Sequence, residues 1–461
     1  MLKKLAMLMG LKELKDRDPA EVRTLFLLIF MFLFINADTM LMAPNYKLIM
    51  AEFHVNEEAI GLVASLFVFS GAGVALVWGY LVDKYPRKFL AFVTIILGEV
   101  PCLLTGYVKT FEQMFLIRTL TGLAIGGIMP LIYSMIGDLV SDRERSTASA
   151  WLGLAEGLGA AIGFLLAGSI AESPIKILGA TGWRLSFVLV ALPNFVLAPI
   201  FLLTCMDPKR GGGEMQLKQE IEQGLEYKRR IRLQDYKVIF SNRTNIYFFL
   251  QSVPGTIGWG VLPNWMTTFY TTQKNVTIAM ATYLSAIVAG GMILGGFFGG
   301  IIGNKLHDIN KKYSPIFCGV TTLIGMVFFL MMIHYPLPFN PTNMQMAGPL
   351  IVGVIAGLFI TMTSSNIRAI VLNVNPPENR GAMMSLFTLT DSLGKGAGPY
   401  LGGLMIVHLG GYLKMMDIST LFWLPCALVF LFLLTPQYPV DSARLDKIMA
   451  ERAIEMKTDS E

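Results

Sequence analysis

Residues 380–403, RGAMMSLFTLTDSLGKGAGPYLGG, decide how the chain is read. The stretch is apolar enough to lie in lipid, yet it places Asp391 and Lys395 one helical turn apart. It also has an earlier copy. Shifted back by 235 residues, Arg380 falls on Arg145, Leu389 on Leu154, Asp391 on Glu156 and Leu393 on Leu158. The same shift puts Gly394, Gly398 and Gly403 on Gly159, Gly163 and Gly168. An acid at one register of two distant apolar segments predicts a duplicated membrane protein with a functional centre between its halves.

Bulk composition agrees. Of 461 residues, 54% are hydrophobic and 15% charged, and the mean hydropathy is +0.57. A soluble chain this long needs far more charged surface, so an all-α integral membrane protein is expected. Twelve apolar segments of spanning length can be drawn: 22–50, 57–82, 88–107, 111–139, 145–171, 183–205, 244–272, 279–303, 314–334, 347–372, 381–408 and 417–435. They give twelve transmembrane helices in two pseudo-symmetric six-helix bundles, 22–205 and 244–435, joined by a cytoplasmic linker at 206–243 and followed by a cytoplasmic tail at 436–461. The linker opens with glycines at 211–213 and carries Lys228, Arg229, Arg230 and Arg232, a solvated face that meets anionic headgroups.

Residues 1–21 mix Leu2, Leu5, Leu8 and Met9 with Lys3, Lys4, Lys12 and Lys15. They read as an amphipathic cytoplasmic segment lying on the membrane, or as a frayed basic tail, and not as a cleavable signal. With both termini inside, the cytoplasmic segments hold 28 of the 37 Lys and Arg residues and the opposite loops five. The excess of positive charge on one side predicts that both termini are cytoplasmic; a prokaryotic inner (plasma) membrane is the expected location. The net charge of +5 reflects this bias, with no nucleic-acid partner implied. Cys102, Cys205, Cys318 and Cys426 are scattered within spans and read as packing, not as disulfides or a metal site. No phosphate-binding loop, zinc spacing or Ser–His–Asp pattern occurs, so no enzyme activity, cofactor or metal is expected.

Small residues recur every fourth position in four spans, as at Gly71, Ala75 and Gly79, at Gly159, Gly163 and Ala167, at Gly291, Gly295, Gly299 and Gly303, and at Gly394, Gly398 and Gly402. Such stripes let helix backbones approach closely. They are expected to face between the halves; the other reading is packing within each half.

Between the second and third spans, residues 79–88 read GYLVDKYPRK. This resembles the G-x-x-x-D-R/K-x-x-R-R/K signature of the major facilitator superfamily, with Pro86 near the usual glycine. In the fourth span, Arg118-Thr-Leu-Thr-Gly122 resembles the superfamily's R-x-x-x-G motif, whose arginine is linked to coupling. The resemblance covers essentially the whole chain and implies the major facilitator fold. It also implies a gating cluster of Gly79, Asp83, Lys84, Arg87 and Lys88 with Asp138, Arg143 and Arg145 at the end of span 4, an ion-pair latch that breaks on switching. For Asp138, Arg143 and Arg145 the preferred reading is a structural charge cluster that supports gating without touching substrate. The second half has a degraded copy at Gly300, Asn304 and Lys305. A narrower likeness is to the spinster branch of lysophospholipid and sphingolipid carriers. It rests on Asn36-Ala-Asp38, GYLVDKYPRK, Trp183-Arg184, Met206-Asp-Pro-Lys-Arg-Gly and the opening stretch. The branch usually has Arg where this chain has Thr39, and Glu in span 4 where this chain reads Gly122-Leu-Ala-Ile125.

Six charged residues are the substrate and coupling candidates. Asp38 reads as lining the central cavity, because a membrane acid without a partner is costly. The other reading of Asp38 is a helix-bending or hydrogen-bonding acid. Arg118 and Arg368 are the charge partners expected for the acids Asp38, Glu156 and Asp391. Glu156 and Asp391 lie about three turns inside the membrane at the ~1.5 Å rise of a helix, each three residues before a stripe glycine. A desolvated carboxyl there can bind and release a proton as water access changes. Asp391 reads either so or as a static i,i+4 pair with Lys395. Arg368 reads either as an attractor of an anionic headgroup or as a snorkelling residue. Glu99 reads as peripheral.

The reading is a secondary active transporter working by alternating access, moving a lysophospholipid or similar amphipathic lipid by proton coupling or down its gradient. A small organic anion, sugar acid or drug is the alternative cargo, and a non-transporting sensor or scaffold the alternative class. Substrate, membrane lipids and protons are the expected partners of a monomer.

Overall fold

The computed structural model describes residues 18–140, 145–208, 239–375 and 377–458. Among them the backbone is helical almost throughout, and the one β pairing is an isolated bridge between Ile177 and Ala180. Hydrocarbon offers no partner for a loose N–H or C=O, so an apolar chain satisfies its backbone by forming helices. Most of the expected N-terminal segment (1–17), most of the linker (209–238) and Arg143 lie outside the described residues.

The first compact unit is Met1–Lys228. It contains α1 (Pro19–Asp38), α2 (Tyr46–Phe53), α3 (Glu57–Lys84), α4 (Arg87–Thr105), α5 (Phe111–Ile125), α6 (Ile128–Leu139), α7 (Arg145–Ile170) and α8 (Trp183–Thr204). Local chemistry marks the starts. Asp18 caps α1 by accepting from the Ala20 N–H, with Pro19 in the first turn. Asn56 accepts from the Ala59 N–H ahead of Glu57 and Glu58, whose charges suit the positive helix end. Span 4 is two helices because the chain bends at Gly126 and Gly127. There the Gly126 backbone meets that of Gly71, and Gly127 lies under the Trp78 indole, leaving no room for a side chain at either position.

The second unit is Arg229–Glu461. It contains α9 (Arg243–Gln273), α10 (Ile278–Ile309), α11 (Tyr313–Ile333), α12 (Ala347–Thr361), α13 (Thr363–Leu372) and α14 (Pro377–Leu409). There follow α15 (Tyr412–Leu421), α16 (Trp423–Leu428), a π-helical turn (Val429–Leu434) and α17 (Thr435–Thr458). The expected tail is therefore a continuation of the last helix. Tyr438, Asp441 and Ser442 are buried, and Asp441 accepts from both the N–H and the hydroxyl of Thr244 at 2.9 and 2.6 Å, capping the start of α9.

Ten of the described helices are long and apolar enough to cross a membrane. The two expected spans missing from this set are α9 and α14, which have ample length at 31 and 33 residues. Polar groups lower their hydropathy: Gln251, Ser252, Thr256 and Asn264 in α9, Asp391 and Lys395 in α14. These are the helices that build the site below.

The small-residue stripes pack within each unit, which corrects the expectation that they face between the halves. Gly159 and Gly163 lie against the α1 backbone at Leu33 and Ala37, and Gly71 against Gly122 and Gly126. In the second unit Gly291, Gly295 and Gly299 meet the backbone of Val354, Leu358 and Met362, while Gly394, Gly398 and Gly402 meet Thr256, Gly260 and Trp265. A face without side chains is filled by the nearest helix, here one of its own bundle.

Candidate functional site

The polar face of α9 sets one wall of a cavity in the second unit. Gln251, Ser252, Gly255, Thr256 and Trp259 recur at helical spacing and all line it. α14 supplies Phe387, Asp391 and Lys395, α12 and α13 supply Thr361, Thr363, Ser364 and Arg368, and α16 supplies Trp423 and Cys426. The enclosed volume is about 270 Å³.

The walls are firmly held. The Ser252 and Thr390 hydroxyls lie 3.1 Å apart, the Cys426 thiol donates to the Gln251 carbonyl, and the Trp423 indole N–H donates to the Gly255 carbonyl at 3.1 Å. The Trp259 and Trp423 rings stand 6.0 Å apart at 57° and belong to a mostly apolar lining that also carries hydroxyls. Lys395 Nζ donates to Asp391 Oδ2 at 2.7 Å, and this pair is half-open, with side-chain exposures of 50% and 26%. Arg368 is exposed at the cavity. Two cations against one carboxylate leave the lining one positive charge in excess, which favours an anion. Three of the six candidate residues, Arg368, Asp391 and Lys395, thus meet in one place. Of the two readings of Asp391, the i,i+4 pair with Lys395 is present, and the pair lines the cavity.

Asp38 and Arg118 are elsewhere and differently housed. Arg118 Nη1 donates to Asp38 Oδ1 at 2.6 Å, with both side chains at most 2% exposed, and the guanidinium lies 4.5 Å from the centre of the Phe67 ring. The expectation that Asp38 lines an open cavity is corrected: α1 and α5 enclose the pair in the core of the first unit. Glu99, expected at the periphery, is also fully buried, with Asn194 Nδ2 donating to its Oε1 at 2.5 Å. The error lay in applying the cost of a buried membrane acid to Asp38 and not to Glu99. Glu156 is exposed on α7.

Arg87 is the hub of the charge cluster at the motif between the second and third spans. It is buried and donates to Asp138 at 2.5 Å, to Ser134 at 3.1 Å and to the Pro208 carbonyl, with Asp207 3.6 Å from its Nε. The contact with Asp207 and Pro208 ties the start of the linker to this cluster, which the motif alone did not indicate. Lys84 extends over the Tyr80 and Tyr85 rings, and Lys88 is half-buried. Gly79 and Asp83 lie in α3 and Arg145 begins α7, but their side chains are outside the described residues. Gln251, Trp259, Trp423 and Cys426 were not singled out from sequence; polar and indole-bearing residues in otherwise apolar spans were the signal for the first three.

Comparison with known proteins fits this architecture. The sequence model of the Major Facilitator Superfamily matches residues 27–362 and 344–451, and the chain belongs to that family of membrane transporters. It is therefore a multi-pass integral membrane protein. Over 178 residues it is 28% identical to Multidrug resistance protein 1 of Bacillus subtilis (strain 168), a match covering 39% of this chain and 44% of that relative's length. Over 373 residues it is 22% identical to the Sphingosine-1-phosphate transporter SPNS2 of Danio rerio, covering 77% of this chain and 70% of that protein. A solved bacterial homolog to the human lysosomal transporter spinster, in an inward-facing and unoccupied conformation, shares the fold. The TM-score is 0.77 at 18% identity, with 92% of this chain and 99% of that one covered.

Proposed function

We propose that the protein is a secondary transporter working by alternating access. Its cargo is a lysophospholipid or similar amphipathic lipid whose charged head is held in the second unit's cavity. The observation that carries this reading is the convergence of Arg368, Lys395 and Asp391 beside two indoles. Arg368 offers a planar fork to a phosphate or carboxylate, and Lys395 a mobile point charge. An exposed i,i+4 pair holds together by only about 0.3–0.5 kcal/mol, so Lys395 can leave Asp391 for the anion of the cargo. The released carboxylate can then take a proton, which couples transport to the proton gradient. Glu156 occupies the equivalent register of the first half and serves as the second coupling acid.

The remaining parts follow the same reading. Residues 22–205 and 244–435 act as two six-helix bundles joined by 206–243, and Arg87, Asp138 and their neighbours form the latch. The excess of Lys and Arg on one side supports cytoplasmic termini, and the proposed location is a monomer in a prokaryotic inner membrane. Support for a lipid comes from the Danio rerio relative and the spinster-like fold.

A small organic anion or drug is the second reading, favoured by the cavity's size. Sites for drug-sized ligands run from about 300 to 1,000 Å³, and 270 Å³ suits a headgroup or a small anion better than a whole lipid. The multidrug relative agrees with it. Thermal shifts of the purified protein separate the two. Lysophosphatidic acid and lysophosphatidylglycerol should raise the melting temperature, and Arg368→Ala should abolish the rise. A rise with benzoate or glucuronate alone supports the second reading, and no rise with any anion overturns both.

A further inference from the structure

The core of the first unit holds an imbalance of charge. Asp38, Glu99 and Arg118 are each at most 1% exposed, so two carboxyl groups share one guanidinium. Arg118 is committed to Asp38 at 2.6 Å. Glu99 receives one neutral donor, the Asn194 amide, which also donates to the Met31 carbonyl at 3.2 Å. Glu99 Oε2 and Asp38 Oδ2 have no hydrogen-bond partner, and neither has Asn194 Oδ1.

An ionised carboxylate held this way would be a buried charge without a counter-ion, which proteins avoid by pairing or neutralising it. We propose that Glu99 is a proton-binding site, with the proton on Oε2, and that Asp38, Arg118 and protonated Glu99 form a neutral buried cluster. The short bond from Arg118 keeps Asp38 the anion, and the absence of any cation against Glu99 puts the proton there. Cys102, one turn along α4 on the same face, lies beside both acids and adds a thiol to the cluster. This assignment does not depend on the identity of the cargo or on the cavity in the second unit.

Among the described residues, the surroundings offer no other counter-charge. α4 packs against α8, α5, α6, α1 and α3. α8 presents Asn194 to Glu99, while its Arg184 is ten residues away, about 15 Å along the helix, and pairs with Glu52 at 2.6 Å. α5 contributes Arg118, already bound. α6 carries Asp138, which Arg87 holds at the opposite end of α4. α1 contributes Asp38, and α3 places the Phe67 ring over Arg118. Tyr46 also approaches Arg118 and brings no positive charge.

Infrared spectroscopy of the purified full-length protein at neutral pH tests this directly. A protonated carboxyl has a carbonyl stretch that a carboxylate lacks. The wild-type spectrum minus that of Glu99→Gln should show this band, and the variant, which keeps the neutral shape, should melt within about 2 °C of wild type. A carboxylate band lost in its place overturns the assignment. So does a large rise in melting temperature, the result expected when a lone buried anion is removed. If Glu99→Gln does not fold, Asn194→Leu takes its place. Loss of the donor should shift the protonated-carboxyl band without abolishing it, and a spectrum without such a band again contradicts the proposal.

Discussion

Asp38–Arg118 and Asp391–Lys395 are nearly identical as distances, 2.6 and 2.7 Å, and opposite in every other respect. The first joins two helices far apart in sequence and is sealed from solvent. The second joins neighbours on one helix and is half-open to a cavity. Geometry at the bond says little about role; the surroundings decide it. A sealed pair holds the core, because removing either partner strands a charge, whereas an open pair can exchange one partner for a ligand at small cost.

The largest effect should come from breaking the sealed pair. Arg118→Met leaves Asp38 without a counter-ion and should destabilise the protein by about 3–5 kcal/mol, seen as a steep fall in melting temperature or loss of folded yield. Adding Asp38→Asn to it should restore much of that stability. Equal instability of the single and double variants would remove the ion pair as the cause.

Helix packing beside the open pair is the next test. Gly398 lies against the Gly260 backbone, so Gly398→Val forces α14 away from α9 at an expected cost of about 1–3 kcal/mol. Because those two helices frame the cavity, stability and ligand binding should fall together. Binding retained at reduced stability would separate the packing from the site.

The smallest effect on stability belongs to the open pair itself. Lys395→Ala should change stability by no more than about 0.5 kcal/mol while weakening an anionic ligand about tenfold, roughly 1.4 kcal/mol. A stability loss comparable to that of Arg118→Met would show that the two pairs are not different in kind.

The difference between the pairs also shows what was legible in the chain. The helical membrane class follows from apolar runs of spanning length, and the two halves from the register shared by Glu156 and Asp391. The i,i+4 spacing of Asp391 and Lys395 gave their pairing, because both lie on one helix whose period is known. Arg118 was expected to be a charge partner of one of the acids, but neither its pairing with Asp38 nor the closure of that pair was legible: the depth of a side chain depends on how α1, α4, α5 and α8 pack, which no local pattern encodes. Glu99 was misplaced for that reason. The glycine stripes announced close approach without naming the neighbour. The cavity wall was latent in the polar residues of α9, whose period of one turn becomes visible once Arg368 and Trp423 are found opposite.

The central claim is that the cavity in the second unit holds the charged head of an anionic cargo. Tryptophan fluorescence of the purified protein during titration with lysophosphatidic acid tests it most directly, since Trp259 and Trp423 line the cavity. Saturable quenching is predicted, lost in the Trp259→Phe/Trp423→Phe double variant and shifted to at least tenfold higher ligand concentration in Arg368→Ala. An unchanged titration in Arg368→Ala, or quenching that survives without both indoles, would place the head elsewhere and contradict the account.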